Sequence, residues 1–196
     1  MPINFGPEPH QGRSIVQTAI LDINNAKGVL TPRGVRQEIS KPIEVYSIQL
    51  NDLAASNASN YVKNTGWIYV LTENDETAQV IELYADEMDS TVRFGKIEST
   101  DSAKHLLEAI RCAEIHIEAL TGNYVLRELR VPGICFRAVW LTSIAGSTDF
   151  VCPIVPLGPN LIIESIYTLD EIFSELQKLD LDEMQAGFEP TEVEER

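Results

Sequence analysis

The stretch KHLLEAIRCAEIHIEAL, residues 104–120, holds two of the chain's three histidines and one of its three cysteines. Imidazole and thiolate are zinc ligands, so His105, Cys112 and His116 raise the question of a metal site on a helix. The spacing argues against it. On a helix, His105 stands about 10 Å from Cys112 along the axis and about 16 Å from His116. One zinc ion holds its ligands at about 2.0–2.3 Å, so the two histidines cannot share it. Cys112 and His116, one turn apart, can share one. Further ligands would then have to come from His10, Cys135 or Cys152, and no C-x2-C pair supports such a set. No metal and no cofactor is expected.

Three other groupings have chemical potential. The loop KGVLTPRGVRQEISK, 27–41, gathers Lys27, Arg33, Arg36 and Lys41 against a single acid, Glu38. It is a candidate anion-binding segment, although pairing with the chain's own acidic surface is the simpler expectation. YADEMD, 84–89, clusters three carboxylates but lacks the D-x-[DN]-x-[DN]-G order of a calcium loop, so it reads as a solvated turn. ICFRAVWL, 134–141, carries Arg137 in an otherwise apolar strand. Alternation puts Arg137 on one face with Cys135, Val139 and Leu141, and an inward arginine needs a carboxylate partner. The chain holds no G-x-S-x-G, P-loop, G-x-G-x-x-G, H-E-x-x-H or C-x-x-C.

The elements that position these residues follow from periodicity and punctuation. SIVQTAILDI, 14–23, is rich in β-branched residues and reads as a strand. IEVYSIQL, 43–50, reads as another, and 51–60 leaves room for a short helical turn. GWIYVLT, TAQVIELYA and STVRFGKIE, joined by short polar connectors, read as an antiparallel meander over 66–98. Thr100, Asp101 and Ser102 are N-cap candidates for the next helix, and Gly122 follows its end. Between them Ala103, Leu106, Leu107, Ile110, Ala113, Ile117 and Leu120 form one apolar stripe. NYVLRELRV and ICFRAVWL read as a hairpin turning at Pro132-Gly133. DFVCPIVPL, 149–157, and NLIIESIY, 160–167, are further extended pieces. TLDEIFSELQKL, 168–179, opens with a capping box of Thr168 and Glu171. The expected architecture is α+β: a mostly antiparallel sheet, a β-meander plus a hairpin, covered by one long central helix and a C-terminal helix. Residues 1–13 are expected as a flexible arm, 14–179 as a single domain and 180–196 as an acidic disordered tail.

The face of 104–120 opposite the main stripe holds His105, Ala109, Cys112 and His116, with Ile115 and Ala119. It is small and semi-apolar, and Lys104, Glu108, Arg111 and Glu118 crowd onto the flank instead. A helix exposed on one side normally carries charge there. His105, Ala109, Cys112, His116 and Ala119 are therefore interface candidates. The C-terminal helix, the N-terminal arm or a second copy of the chain is the expected cover.

Charge limits the function class. Fifteen basic and thirty acidic residues give a net charge of −15 over 196 residues. Residues 51–100 and 151–196 carry most of the excess, −6 and −9. Such a surface repels phosphate backbones, which speaks against nucleic-acid binding, and it steers basic partners. No apolar run reaches the roughly 20 residues a membrane helix needs. The first residues lack a signal peptide's basic and apolar regions. An odd cysteine count fits reduced core thiols in a cytoplasmic protein. The expectation is a non-catalytic acidic adaptor or assembly protein that binds a basic protein partner. A small hydrolase or transferase with a His/Cys/carboxylate site is the alternative, and a nucleic-acid mimic a minor one.

Overall fold

The computed structural model describes residues 3–26, 37–53, 55, 58–73, 76–86, 91–118, 122–155, 161–163 and 165–179. Within these described residues ten strands form one sheet and four helices pack on it. In chain order they are β1 (Ile3–Phe5), α1 (Gly12–Ala26), β2 (Gln37–Ile39), β3 (Ile43–Ser47), α2 (Leu50–Leu53), β4 (Lys63–Glu73), β5 (Glu76–Ala85), β6 (Val92–Glu98), α3 (Thr100–Glu118), β7 (Tyr124–Val131), β8 (Phe136–Ser143), β9 (Phe150–Pro153), β10 (Tyr167–Thr168) and α4 (Leu169–Gln177). The main strand order is β10-β9-β8-β7-β3-β4-β5-β6, with β1 paired to β7 and β2 to β4.

The meander β4-β5-β6 and the hairpin β7-β8 form as their short connectors require. The sheet as a whole is mixed, however. β1 and β3 both run parallel to β7. The β3–β7 pairing is a long crossover: the meander and α3 lie between the two strands in sequence, and a parallel pair needs such a connection. Local turn chemistry signals hairpins and is blind to pairings of this range.

Three segments differ from the sequence expectation. Residues 14–23 lie in helix α1, not in a strand. Their β-branched content hides a helical spacing: Ile15, Val16, Ala19, Ile20 and Ile23 share one side, and Val16 is fully buried against Tyr69, Leu71, Ile81 and Leu83. Residues 3–5, expected within a loose arm, pair with Tyr124–Leu126 of β7. Residues 37–39, expected in a loop, pair with Leu71–Glu73 of β4. The tail at 180–196 and the acids at 87–89 lie outside the described residues.

Strand alternation separates the helices into two layers. Val80, Leu126, Val139 and Leu141 face α3, whose Ala103, Leu106, Ala109, Ala113 and Ile117 are buried among them. The opposite face divides in two. Ile81 and Leu83 receive α1, while Leu129, Phe136, Ala138 and Trp140 receive α2 and α4. β8 is thus a central strand covered on both faces. α4 begins with the expected capping box: Thr168 Oγ1 accepts from the Glu171 amide and Glu171 Oε2 from the Thr168 amide.

The sheet is bent. At Gly66 on β4 an added Cβ would lie 2.0 Å from the Leu83 carbonyl oxygen of β5. Register shifts flank this glycine, between Val45 and Tyr46 on β3 and between Glu82 and Leu83 on β5. A strand glycine bracketed by bulges is a device for curling a sheet.

Candidate functional site

The curl decides where the charged side chains meet. In a flat sheet β8 and β6 stand five strand spacings apart, roughly 24 Å. Yet Arg137 Nη1 of β8 donates to Glu98 Oε2 of β6 at 2.7 Å, and Arg130 Nη1 of β7 donates to Glu82 Oε1 of β5 at 2.6 Å. Both bonds cross the concave face that α3 fills elsewhere.

They belong to a closed ring of six charges. Glu128 Oε1 on β7 accepts from Arg130 Nε at 2.7 Å and from Arg137 Nε at 2.6 Å. Arg130 continues to Glu82, and Arg137 to Glu98. Lys96 Nζ on β6 closes the circle, 3.5 Å from Glu82 Oε2 and 3.0 Å from Glu98 Oε1. Acid and base alternate around it, three of each. Glu128 is 0% exposed, whereas the Lys96 side chain is 51% exposed. The ring therefore runs from the interior to the sheet edge.

Four of its groups are held away from neutral titration. Burial pushes the Glu98 carboxyl up, but the charge and hydrogen bonds of Arg137 and Lys96 outweigh it and hold Glu98 below its ordinary value. Burial works against the charged forms of Arg130 and Arg137, and the facing carboxylates outweigh it and push both upward. Lys96 is likewise raised by Glu98 and Glu82 against its own desolvation. None of these four has the near-neutral poise of a general acid or base. Glu128 Oε2, Arg130 Nη2 and Arg137 Nη2 are buried and make no hydrogen bond within the protein, so the ring is not saturated.

On the other face Arg127 of β7 lies between two rings. Its guanidinium carbon is 4.7 Å from the Tyr46 centroid and 5.5 Å from that of Trp140, and these two rings meet edge-on. Arg127 Nε donates to Glu44 at 3.1 Å and Nη1 to Thr142 Oγ1 at 3.2 Å. Trp140 Nε1 donates to Asp149.

The residues singled out in the sequence fall apart in space. His105 is exposed, Cys112 and His116 are half-buried, and the His116 ring stands edge-on to Phe150 at 5.1 Å. Ala109 faces the core, not the second face, because it lies within the arc of α3 that the concave sheet encloses. Ala119 lies outside the described residues. So do Lys27, Arg33 and Arg36. Lys41 is exposed, with its ammonium 5.6 Å from the Phe5 ring. No disulfide joins Cys112, Cys135 and Cys152, and only Cys152 is fully buried. Cys135 is exposed, because the Pro132–Ile134 turn ends on it in a left-handed conformation, φ +52°. Among the described residues no three His, Cys, Asp or Glu side chains converge as a metal site.

Of the ring, only Arg137 was legible beforehand: an arginine in an apolar strand requires a carboxylate. The identity of that carboxylate was not. Glu82, Glu98 and Glu128 each sit in strands whose alternation marks them as inward, but nothing local shows that β5 and β6 curl back to β7 and β8.

No family model, no curated protein and no solved structure matches this chain. Among the described residues no helix is long and apolar enough to cross a membrane.

Proposed function

We propose that the chain is a non-catalytic interaction protein, an adaptor or assembly component, whose acidic exterior engages a basic protein partner. The observation that carries this reading is the neutrality of the ion-pair network. The ring holds three acids and three bases, and Glu44 balances Arg127 on the opposite face. The ring and the Glu44–Arg127 pair are together neutral, and the whole net charge of −15 is left to the rest of the chain. A surface of that sign steers a basic partner and gives binding that salt weakens. The pKa directions add support, since Glu98, Lys96, Arg130 and Arg137 stay ionised through neutral pH.

The alternative, a small hydrolase or transferase, needs a histidine beside a cysteine or carboxylate. His10 and His105 are exposed, and His116 packs on Phe150. Nucleic-acid mimicry needs acids ordered at phosphate-like spacing along one surface. We place the protein in the cytoplasm, where cysteines outside disulfides are ordinary.

The test is affinity capture from the source cells with elution by a salt gradient, followed by titration of the purified partner. A stoichiometric basic protein whose affinity falls steeply with salt is the expected result. Recovery of the chain alone at low salt, or binding indifferent to salt, rules the reading out.

A further inference from the structure

Lys96 is the exposed member of the ring. Its side chain is 51% exposed, whereas those of Glu82 and Glu98, the two acids it joins, are 3% and 6% exposed. The strands dictate this arrangement. Lys96 stands opposite Glu82 across the β5–β6 ladder, and two residues before Glu98 on the same face of β6. β6 ends the main strand order, so among the described residues no further strand screens that side. The ring thus has a mouth, and a flexible four-carbon side chain fills it.

The fit there is incomplete. Arg130 takes Glu82 Oε1 at 2.6 Å and Arg137 takes Glu98 Oε2 at 2.7 Å. The other two oxygens, Glu82 Oε2 and Glu98 Oε1, are shielded from solvent and turn to Lys96 Nζ. Nζ meets Glu98 at 3.0 Å but stands 3.5 Å from Glu82, and Glu82 Oε2 makes no hydrogen bond. A charge-assisted bond would be about 2.7–2.9 Å. An ammonium is a point charge and serves one of the two oxygens. A guanidinium carries parallel N–H donors in a fixed fork and serves both. Charge sets the class of occupant as well. Without Lys96, two arginines face three buried carboxylates, and the excess negative charge cannot stay buried without a cation.

We infer that the mouth of the ring is a receptor site for a guanidinium group, which enters from the β6 side, displaces Lys96 and bridges Glu82 Oε2 to Glu98 Oε1. Its source is an arginine of the basic partner, and that clause rests on the function proposed above; the site itself stands on the geometry of the ring. Lys96 is then a placeholder. It keeps the ring neutral until the partner binds, and it yields because a half-exposed lysine loses little on leaving. The acidic exterior draws the partner in, and the mouth fixes its register.

The probe is ethylguanidinium chloride, titrated into the full chain while NMR follows the carboxyl carbons of Glu82 and Glu98. Ethylammonium chloride and sodium chloride at equal ionic strength are the controls. The natural chain should bind the probe weakly. Lys96→Ala empties the mouth and should bind it about 10-fold or more tightly, with both carboxyl signals moving together. Lys96→Arg fills the mouth from within and should bind it no better than the natural chain, while raising Tm. Neither variant touches a buried side chain, so both should fold. Equal uptake by all three chains overturns the site, as do signals that the controls move as far as the probe does. The captured partner separates the site from its source. Lys96→Ala should hold that partner about 10-fold or more tightly than Lys96→Arg does. A basic partner that binds all three chains alike overturns the inference and leaves the interaction protein standing. Capture of no basic protein, with ethylguanidinium still taken up by Lys96→Ala, overturns the proposed function and leaves the site.

Discussion

Arg130 and Arg137 stand directly opposite each other on β7 and β8, and both donate their Nε–H to the same oxygen of Glu128. Two like charges at a cross-strand position repel, and the fully buried carboxylate between them is what makes the pair tolerable. Replacing Glu128 by Gln leaves two buried guanidinium groups facing each other. The expected loss is about 3–5 kcal/mol of unfolding free energy, read by urea denaturation. Lys96→Met should cost only about 0–1 kcal/mol, because Lys96 is half-exposed and Glu82 and Glu98 keep their arginines. Equal losses for the two variants would mean that the ring does not run from interior to edge as described.

The ring also sets a pH dependence. Glu98 is held below its ordinary value in the folded chain, so its contribution is complete above the unfolded carboxyl pKa of about 4.3 and is lost as pH falls through the lower folded value. Lys96 is raised, so its contribution is complete below about pH 10.4 and is lost as pH rises through the higher folded value. Thermal unfolding followed across pH should therefore show a plateau with an acid and an alkaline limb. The gap in Tm between the natural chain and Glu98→Gln should shrink below about pH 4. A gap that stays constant down to the acid end would remove Glu98 from that limb.

Gly66 tests the bend. Its added Cβ would meet the Leu83 carbonyl oxygen, a backbone atom with no easy escape. Gly66→Ala should destabilise by at least about 3 kcal/mol or prevent folding. Gly146, whose Cβ would meet nothing within 4 Å, provides the contrast: Gly146→Ala there meets only the strain of φ +73° and should cost about 1 kcal/mol. If Gly66→Ala unfolds at the same urea concentration as the natural chain, the close approach of β4 to β5 is wrong.

At the other end of the sheet, Thr168→Ala removes the side chain that caps α4. The expected loss is about 1 kcal/mol. Ile172, Phe173 and Leu176 anchor α4 in the core, so hydrogen exchange should show its first turn fraying while the rest stays protected. Uniform loss of protection along the helix would show that the cap sustains more than its own turn.

Several features were written in short windows of sequence. The α3 stripe, the hairpin at Pro132-Gly133, the capping box at Thr168 and the meander from 66 to 98 each depend on residues within one or two turns or one connector. Local propensity and periodicity are sufficient to specify them. α1 shows the limit of that reasoning: its residues favour strand by composition and helix by spacing, and burial of Val16 against β4 and β5 settles the competition. The sequence by itself also determined that Arg137 must find a carboxylate and that the chain carries −15. Only the tertiary structure decided which carboxylates, because the ring joins residues 82, 96, 98, 128, 130 and 137 through a curl set at Gly66 and a parallel crossover from β3 to β7. Ion pairs of that range depend on the path of the backbone, and no side chain carries that path in its own neighbourhood.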